Sequence, residues 1–443
     1  MPDFWSLYSG TSVVNMNYGG RCRGIIAGTR SVQCFGIFRW RKASGSSLHM
    51  KIKPFLTEQF FALYEFTASH ILASSDCETI SVAELLDLSG ASLADLGAVK
   101  LGYTESQGHP EYRRLVAEMY ESVGADDVVI LTSPVEGIYL AMQTLLDASD
   151  EVVALSPAYD ALHHVAEHLC GKFEPWPLLP TATGWEMDLE QLKTMVSSRT
   201  RLIIVNFPHN PTGYQPDPGE LQKLIEIARE HDCWLFCDEI YRGLEPGFKK
   251  APVLPSVADL YEKGIVLNGL SKTYGLPGLR AGWLVIRDGQ LRERLIDWKH
   301  YTTICAPGTT EFLAIQALSI RDQLEERSRQ TVRSNLALCT SFMERQSALF
   351  AWRPPIAGST ALVEVDLELL GREQSQAFPT TTDYCHALAK RHGILLLPGE
   401  CLGCPPGFVR MGLGRAGFGE ALLAWEATLP SVSNSHDTHA IDS

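Results

Sequence analysis

Four short stretches of this chain carry residues able to do chemistry together. Lys272 sits in Asn268-Gly269-Leu270-Ser271-Lys272-Thr273-Tyr274-Gly275-Leu276-Pro277-Gly278-Leu279-Arg280, an amine followed eight residues later by a guanidinium. Asp238 closes an apolar run and leads into Glu239-Ile240-Tyr241. Asn210 lies in Asn206-Phe207-Pro208-His209-Asn210-Pro211-Thr212-Gly213, a proline-bounded turn after another apolar run. Ser133-Pro134-Val135 stands where a strand gives way to a helix. A helix N-terminus and an arginine can hold a phosphate. A lysine amine condenses with an aldehyde, and a buried carboxylate keeps a pyridine nitrogen protonated. The set suits a phosphorylated, nitrogen-containing electrophile, and pyridoxal 5'-phosphate is its natural occupant.

These residues need a scaffold that brings distant stretches to one edge. Val128–Leu131, Val152–Leu155, Leu202–Phe207, Trp234–Cys237, Ile265–Leu267 and Trp283–Ile286 read as buried strands. Helical patterns lie between several of them. The clearest is Glu220–Glu230, where Leu221, Leu224, Ile225 and Ala228 recur on one face and Pro218 stands near the start. Such alternation predicts an α/β fold with a mostly parallel sheet covered on both faces. Ligands in such sheets bind beyond the carboxyl ends of strands, where the four stretches fall. Beyond residue 289 strands thin out, and helical patterns at Thr310–Ile320 and Gln323–Arg345 precede a second αβ region ending near Leu429.

The expected organisation is an N-terminal extension at 1–49, the first part of a small domain at 50–100, a large cofactor-binding domain at 101–305, the rest of the small domain at 306–430, and a polar tail at 431–443. Residues 1–49 carry five Arg and one Lys against a single acid, a charge of +5, while the other 394 residues hold 32 bases and 51 acids. That break reads equally as a transit segment or as a start artefact with Met50 as the working start.

The chain of 443 residues has a net charge of -14, which argues against a nucleic-acid footprint or an anionic-membrane surface. No segment approaches the ~18 apolar residues of a membrane-spanning helix. Eleven cysteines in so long a chain favour a reducing compartment and a cytoplasmic location, mitochondrial if residues 1–49 are a transit segment. Neither Cys401/Cys404 nor Cys233/Cys237 reads as a metal site. A DNA-binding regulator built on this scaffold would need a reading head, and the first 49 residues show no helix-turn-helix pattern.

From about residue 51 to 430 the chain resembles the fold-type I pyridoxal-phosphate enzymes of the class I/II aminotransferase family, on Asn268–Gly282 and Asn206–Gly213 above all. Within it, the sequence is similar to the branch that includes capreomycidine synthase. The resemblance implies a three-layer large domain and a smaller α+β domain built from both chain ends. It implies that Lys272 holds the cofactor and shuttles a proton, that Asp238 pairs with the ring nitrogen, and that Asn210 and Tyr241 contact the phenolic oxygen. Tyr159 is the aromatic that stacks on the ring, Arg280 the phosphate arginine, and Arg410 the clamp for the substrate carboxylate, with Asn210 beside it. Tyr103 is the tyrosine that reaches the phosphate of a neighbouring subunit, which implies a homodimer with shared active sites. The implied reaction moves an α-amino group between an amino acid and a 2-oxo acid; a lyase or cyclase acting on a hydroxylated, arginine-derived amino acid in specialised metabolism is the alternative.

Two positions depart from the family pattern. Pro134 offers no N–H in the phosphate loop, which leaves Ser133 and the Val135 amide, and Gly269 stands where a hydroxyl is usual, with Ser271 as a replacement. His209 reads as structural. Asp76, Glu78 and Glu105 are expected to border the site mouth, where such acids are usually only solvated but would greet a cationic substrate tail, and Arg321, Glu325, Glu326, Arg327 and Arg329 are expected to form a solvated helix face.

Overall fold

Six apolar runs become six neighbouring strands because both of their faces are covered. In the computed structural model, which describes residues 52–245, 254–373 and 377–430, the large sheet has eight strands. They are β1 (Val128–Leu131), β2 (Glu151–Ser156), β3 (Lys172–Pro180), β4 (Trp185–Met187), β5 (Thr200–Asn206), β6 (Trp234–Asp238), β7 (Gly264–Gly269) and β8 (Gly282–Ile286). Their spatial order is β1-β8-β7-β6-β5-β2-β3-β4. Strands β7, β6, β5, β2 and β3 run parallel, while β8 and β4 are antiparallel to their neighbours. Alternate residues enter opposite cores: Ile203, Val205, Leu235 and Cys237 on one face, Leu202, Ile204, Trp234 and Phe236 on the other. A strand buried on both faces is apolar throughout, which is why these runs show no alternation.

Strands β3 and β4 were not expected. The first, Lys-Phe-Glu-Pro-Trp-Pro-Leu-Leu-Pro, holds three prolines, which lack the N–H a ladder uses. It is tolerated near the sheet edge, where Trp176 is fully buried.

Helix α1 (Leu56–Tyr64) precedes the sheet; α2 (Pro134–Leu145) and α3 (Asp160–Leu169) pack on one face through Ile138, Met142 and Leu162. On the other face, α4 (Pro218–Glu230) buries Leu221, Leu224, Ile225 and Ala228. It starts with Pro218 in its first turn and a reciprocal Asp217–Glu220 cap, as its sequence predicts.

A second sheet is antiparallel and four-stranded: β9 (Phe350–Ala351), β10 (Thr360–Val365), β11 (Leu397–Pro398) and β12 (Phe408–Gly412), ordered β9-β10-β12-β11. It has its own core, to which α5 (Arg321–Arg345) contributes Val332, Leu336, Cys339 and Phe342. Both ends of the described chain build this smaller α+β part. His70–Ile71 pairs in parallel with Ile394–Leu395, and the Gly412 N–H donates to Leu72 O at 2.7 Å.

The α5 charges are not merely solvated. Glu325 accepts from the Tyr274 hydroxyl at 3.0 Å, and Arg327 donates to Glu78 O at 2.7 Å. This helix therefore braces the loop that carries Lys272. The expectations for residues 1–49 and 431–443 lie outside the described residues.

Candidate active site

Register places the chemistry. Asn206 of β5 is paired with Asp238 of β6, and Asp238 with Leu267 of β7, so three parallel strands end side by side. Just past those ends a cavity of about 520 Å³ opens. Its walls include Lys272, Asp238, Asn210, Tyr241, Tyr159, Arg280, Ser133, Val135, Ser271 and Arg410. Residues between 133 and 410 in sequence thus meet in one space. Tyr103 does not; it is 89% exposed, well outside the walls of this chain's own cavity.

Lys272 lies in a tightly held loop. Its carbonyl accepts from the Gly275 and Cys77 N–H groups, and Thr273 donates its hydroxyl to the carbonyls of Ile240 and Arg242. The Nζ donates to Ser75 Oγ at 2.9 Å. Burial lowers the amine's pKa, with Asp76 opposing and Arg410 reinforcing. Asp238 is buried and accepts from the Ile240 N–H at 3.1 Å. Burial pushes its pKa up to about 7, against the pull of that N–H and of Lys272. Both groups are driven toward neutrality, the condition in which a lysine is a nucleophile or base at working pH.

Arg410, on β12, is only 2% exposed. Its Nη1 donates to Asn210 Oδ1 at 3.1 Å and its Nη2 to Ala73 O at 2.9 Å, while Nε has no partner among the described residues. The guanidinium lines the cavity, and its Nε–H, closed off from solvent, is left without an acceptor. Asn210 is itself fixed, its N–H donating to Asn206 Oδ1 at 2.7 Å. Tyr241 is buried, and Ser75 is a hydrogen-bond partner of its hydroxyl. Tyr159 donates its hydroxyl to Glu58 Oε1 at 2.9 Å and meets Phe55 edge-on. Arg280 is held with φ at +53° and donates to Pro277 O. His209 is buried, its Nδ1 2.7 Å from Thr212 Oγ1, inside the turn that carries Asn210.

The two departures from the family pattern explain each other. A Cβ added at Gly269 would meet Pro134 Cγ at 2.8 Å, and one at Gly282 would meet it at 2.9 Å. The proline ring fills the space over both glycines, so a hydroxyl-bearing side chain at 269 does not fit beneath it. Pro134 also occupies the first turn of α2, where a missing N–H is harmless, with Ser133 as the cap. Ser133, Val135, Ser271 and Arg280 remain as polar walls for a phosphate.

Sequence reasoning missed Ser74, Ser75 and all of α1. Asp76 lines the cavity as expected, but Glu78 and Glu105 do not; Glu78 accepts from the Ala416 N–H and Glu105 pairs with Arg113. Ser74, Ser75 and Asp76 reach the cavity because glycines let their backbone pass. A Cβ at Gly412 would lie 1.6 Å from Ser74 O, and one at Gly414 2.5 Å from Asp76 O. From α1 and its two caps come Phe55, Thr57, Glu58, Phe61 and Glu65. The only sequence signal was the spacing of Phe55, Glu58, Phe61 and Glu65 along one helical face.

This sheet, its strand-end lysine and aspartate, and the buried arginine opposite define a pyridoxal-phosphate enzyme. The family described as aminotransferase class I and II matches residues 82–421, so the chain belongs to that family and its cofactor is pyridoxal 5'-phosphate. It is 30% identical over 378 residues to capreomycidine synthase of Streptomyces vinaceus, covering 85% of this chain and 92% of that one. Among solved structures it is similar to the PLP-dependent cyclase OrfR (TM-score 0.78, 30% identity, 87% of this chain and 99% of that one). A PLP-dependent aminotransferase from Streptococcus suis is also similar (TM-score 0.76, 29% identity, 86% and 97%).

Two outcomes follow from the packing and the buried acid. Gly269→Ala is expected to destabilise the protein by about 1–3 kcal/mol, as overpacking does. Adding Pro134→Ala should recover part of that loss, since Ala281 O also lies 2.8 Å from the new Cβ; thermal unfolding of the two single variants and the double variant checks it. An acid whose folded pKa is raised destabilises the fold above that pKa and has no effect below its unfolded value. Asp238→Asn in the cofactor-free protein should therefore raise the free energy of unfolding at pH 8, by at most about 4 kcal/mol. The gain should shrink as pH falls through about 7 and vanish near 4, and a pH-independent gain would contradict the burial argument.

Proposed function

We propose that this chain is an aminotransferase that moves an α-amino group between an amino acid and a 2-oxo acid in a ping-pong cycle, with the residues gathered at the cavity as its machinery. The observation that carries the reading is the joint placement of Lys272, Asp238 and the half-satisfied Arg410 on one 520 Å³ cavity. When bound, the cofactor supplies an aldehyde for the amino group and a ring that accepts the electron pair left at the substrate Cα. Arg410 holds the substrate carboxylate through its guanidinium and turns the Cα toward Lys272. Lys272 Nζ, its charged form disfavoured by burial, takes the Cα proton and would return it on the same face to the carbon of the cofactor's aldehyde group. Asp238 holds a proton at the ring nitrogen. Asn210 and Tyr241 hydrogen-bond the phenolic oxygen, Tyr159 covers the ring face, and Ser133, Val135, Ser271 and Arg280 receive the phosphate. Phe55 and Phe61 of the α1 segment keep bulk water from the reacting carbon.

A second reading, a cyclisation or elimination started by the same proton removal, is favoured by the names of two relatives, a synthase and a cyclase, at 30% identity. It uses the same residues and differs in what departs after the proton.

The reading extends to a cytoplasmic homodimer. All nine described cysteines are free, and no helix among the described residues is long and apolar enough to cross a membrane. Tyr103 and Leu101 are 89% and 91% exposed, as side chains covered by a second copy would be in one chain alone. The domain division expected from the sequence, with 101–305 around the cofactor, belongs to this reading.

Borohydride reduction of the cofactor-loaded protein should label Lys272, and Lys272→Ala should lower turnover by about a thousandfold or more. A label elsewhere sinks the assignment. Product formation that requires a 2-oxo acid supports transfer, whereas product without any acceptor supports the second reading. Sedimentation should give twice 49.0 kDa, and a monomer at working concentration would remove the shared-site arrangement.

A further inference from the structure

One partner of the reacting amine has no task in the reaction as assigned. Among the described residues Lys272 Nζ makes a single hydrogen bond, to Ser75 Oγ at 2.9 Å. Ser75 is buried and lines the cavity. A serine hydroxyl has one hydrogen to donate and two lone pairs that accept. With Lys272 as donor, that hydrogen turns to the Tyr241 hydroxyl, the other partner of Ser75. Tyr241 then keeps its own hydrogen for the cavity. The hydrogen bonds run one way, from amine to serine to tyrosine.

Main-chain contacts, not the hydroxyl, hold Ser75 in place. Its carbonyl accepts from the fully buried Ser359 hydroxyl at 2.5 Å. Two residues on, the Cys77 N–H donates to Lys272 O at 3.2 Å, and the bare backbone of Gly275 leaves room for Glu78 O. The 75–78 stretch therefore lies along the 272–275 loop by its backbone and delivers the hydroxyl to the amine.

In the aminotransferase reading, on which this inference rests, Lys272 takes the proton from the substrate Cα. The Cα–H bond breaks, the proton forms a new N–H bond on Nζ, and the electron pair stays with the substrate and the ring. Before the step a neutral amine has two N–H groups and one lone pair. Committing one N–H to Ser75 confines the lone pair to directions away from it. As the proton arrives Nζ becomes an ammonium, and a hydrogen bond from a charged donor is about twice as strong as one from a neutral donor. The bond to Ser75 strengthens during the step, and only such interactions accelerate it. Asp76 beside Ser75, Glu58 and Glu65 from α1 and its cap, and Asp238 from β6 also favour the charged amine, with Arg410 from β12 opposing them. The Cys77 thiol and the Tyr241 hydroxyl, both pushed up by burial, stay neutral. These groups act on the charge from several sides; Ser75 alone bonds to the amine and gives it a direction.

We propose that Ser75 is a further catalytic residue, whose hydroxyl aims the Lys272 amine at the reacting carbon and stabilises the ammonium formed when the proton arrives.

Ser75→Ala removes one oxygen and none of the main-chain contacts, so the variant should unfold within a few degrees of the parent. The deciding measurement uses the cofactor-free protein. Lys272 is acetylated with acetic anhydride across a range of pH and quantified by mass spectrometry, with the exposed Lys390 as internal reference. An oxygen that accepts from an amine favours its charged form, so losing it should move the Lys272 midpoint to lower pH and leave that of Lys390 where it was. A Lys272 midpoint that stays or rises overturns the inference. The cofactor-loaded enzyme is then given L-alanine, L-glutamate and L-arginine in heavy water, and loss of the Cα hydrogen is followed by NMR. Ser75→Ala should exchange about tenfold more slowly at saturation, with the half-saturating concentration within about threefold of the parent's. A variant that changes only the half-saturating concentration contradicts a part in proton transfer. Should the parent exchange none of the three and borohydride leave Lys272 unlabelled, the aminotransferase reading falls, while the titration still decides whether Ser75 holds the amine.

Discussion

The site depends on two opposite charges buried on one cavity without an ion pair between them. Desolvation pushes Asp238 up to about 7 and Lys272 down, so burial works against the charged form of each. An ion pair between them would have satisfied both and left nothing to do. Separated, they suit a flat heterocycle carrying a basic nitrogen at one end and an aldehyde at the other. The separation comes from the sheet: Asp238 ends β6, and Lys272 lies on the loop three residues past the end of adjacent β7.

Close backbone approach is the second constraint. The Ser74–Asp76 stretch enters the cavity only because Gly412 and Gly414 present no side chain to it, and Gly275, at φ +66°, gives way in the same manner to Glu78 O. That stretch delivers Ser75, the hydroxyl that takes the Lys272 amine, and Ser359 fixes it by donating to Ser75 O at 2.5 Å. Pro134, Gly269 and Gly282 make a similar set on the phosphate side, one ring seated over two bare backbones. Packing at this density leaves few independent changes open at either place.

The molecule thus divides its labour by origin in the chain. Strand ends and their loops supply the groups proposed to handle protons and the cofactor, on elements buried on both faces and correspondingly rigid. An amphipathic helix ahead of them, tied by the Thr57 N–H to Asp160 Oδ2 at 3.0 Å and by the Glu58–Tyr159 contact, supplies apolar cover and carboxylates. A reaction centre of this kind can keep its chemistry while a neighbouring segment changes which side chains are admitted.

Much of this was legible in the linear chain. The strand runs, the α4 cap and face, and the ten cavity-lining residues from Ser133 to Arg410 could be named in advance, because buried parallel strands leave continuous apolar runs and the catalytic groups follow them at short, characteristic offsets. Local spacing and the family resemblance pointed to the fold class and the cofactor, and put Lys272 forward as the reacting amine. Only the tertiary structure decided the rest: that a proline-rich stretch is a strand, that Pro134 and Gly269 are one adaptation, that Tyr103 stands clear of its own chain's cavity, and that Ser75, Glu58 and Glu65 look into it. Those facts depend on contacts between segments a hundred or more residues apart and on space left by absent side chains, neither of which writes a pattern into neighbouring residues.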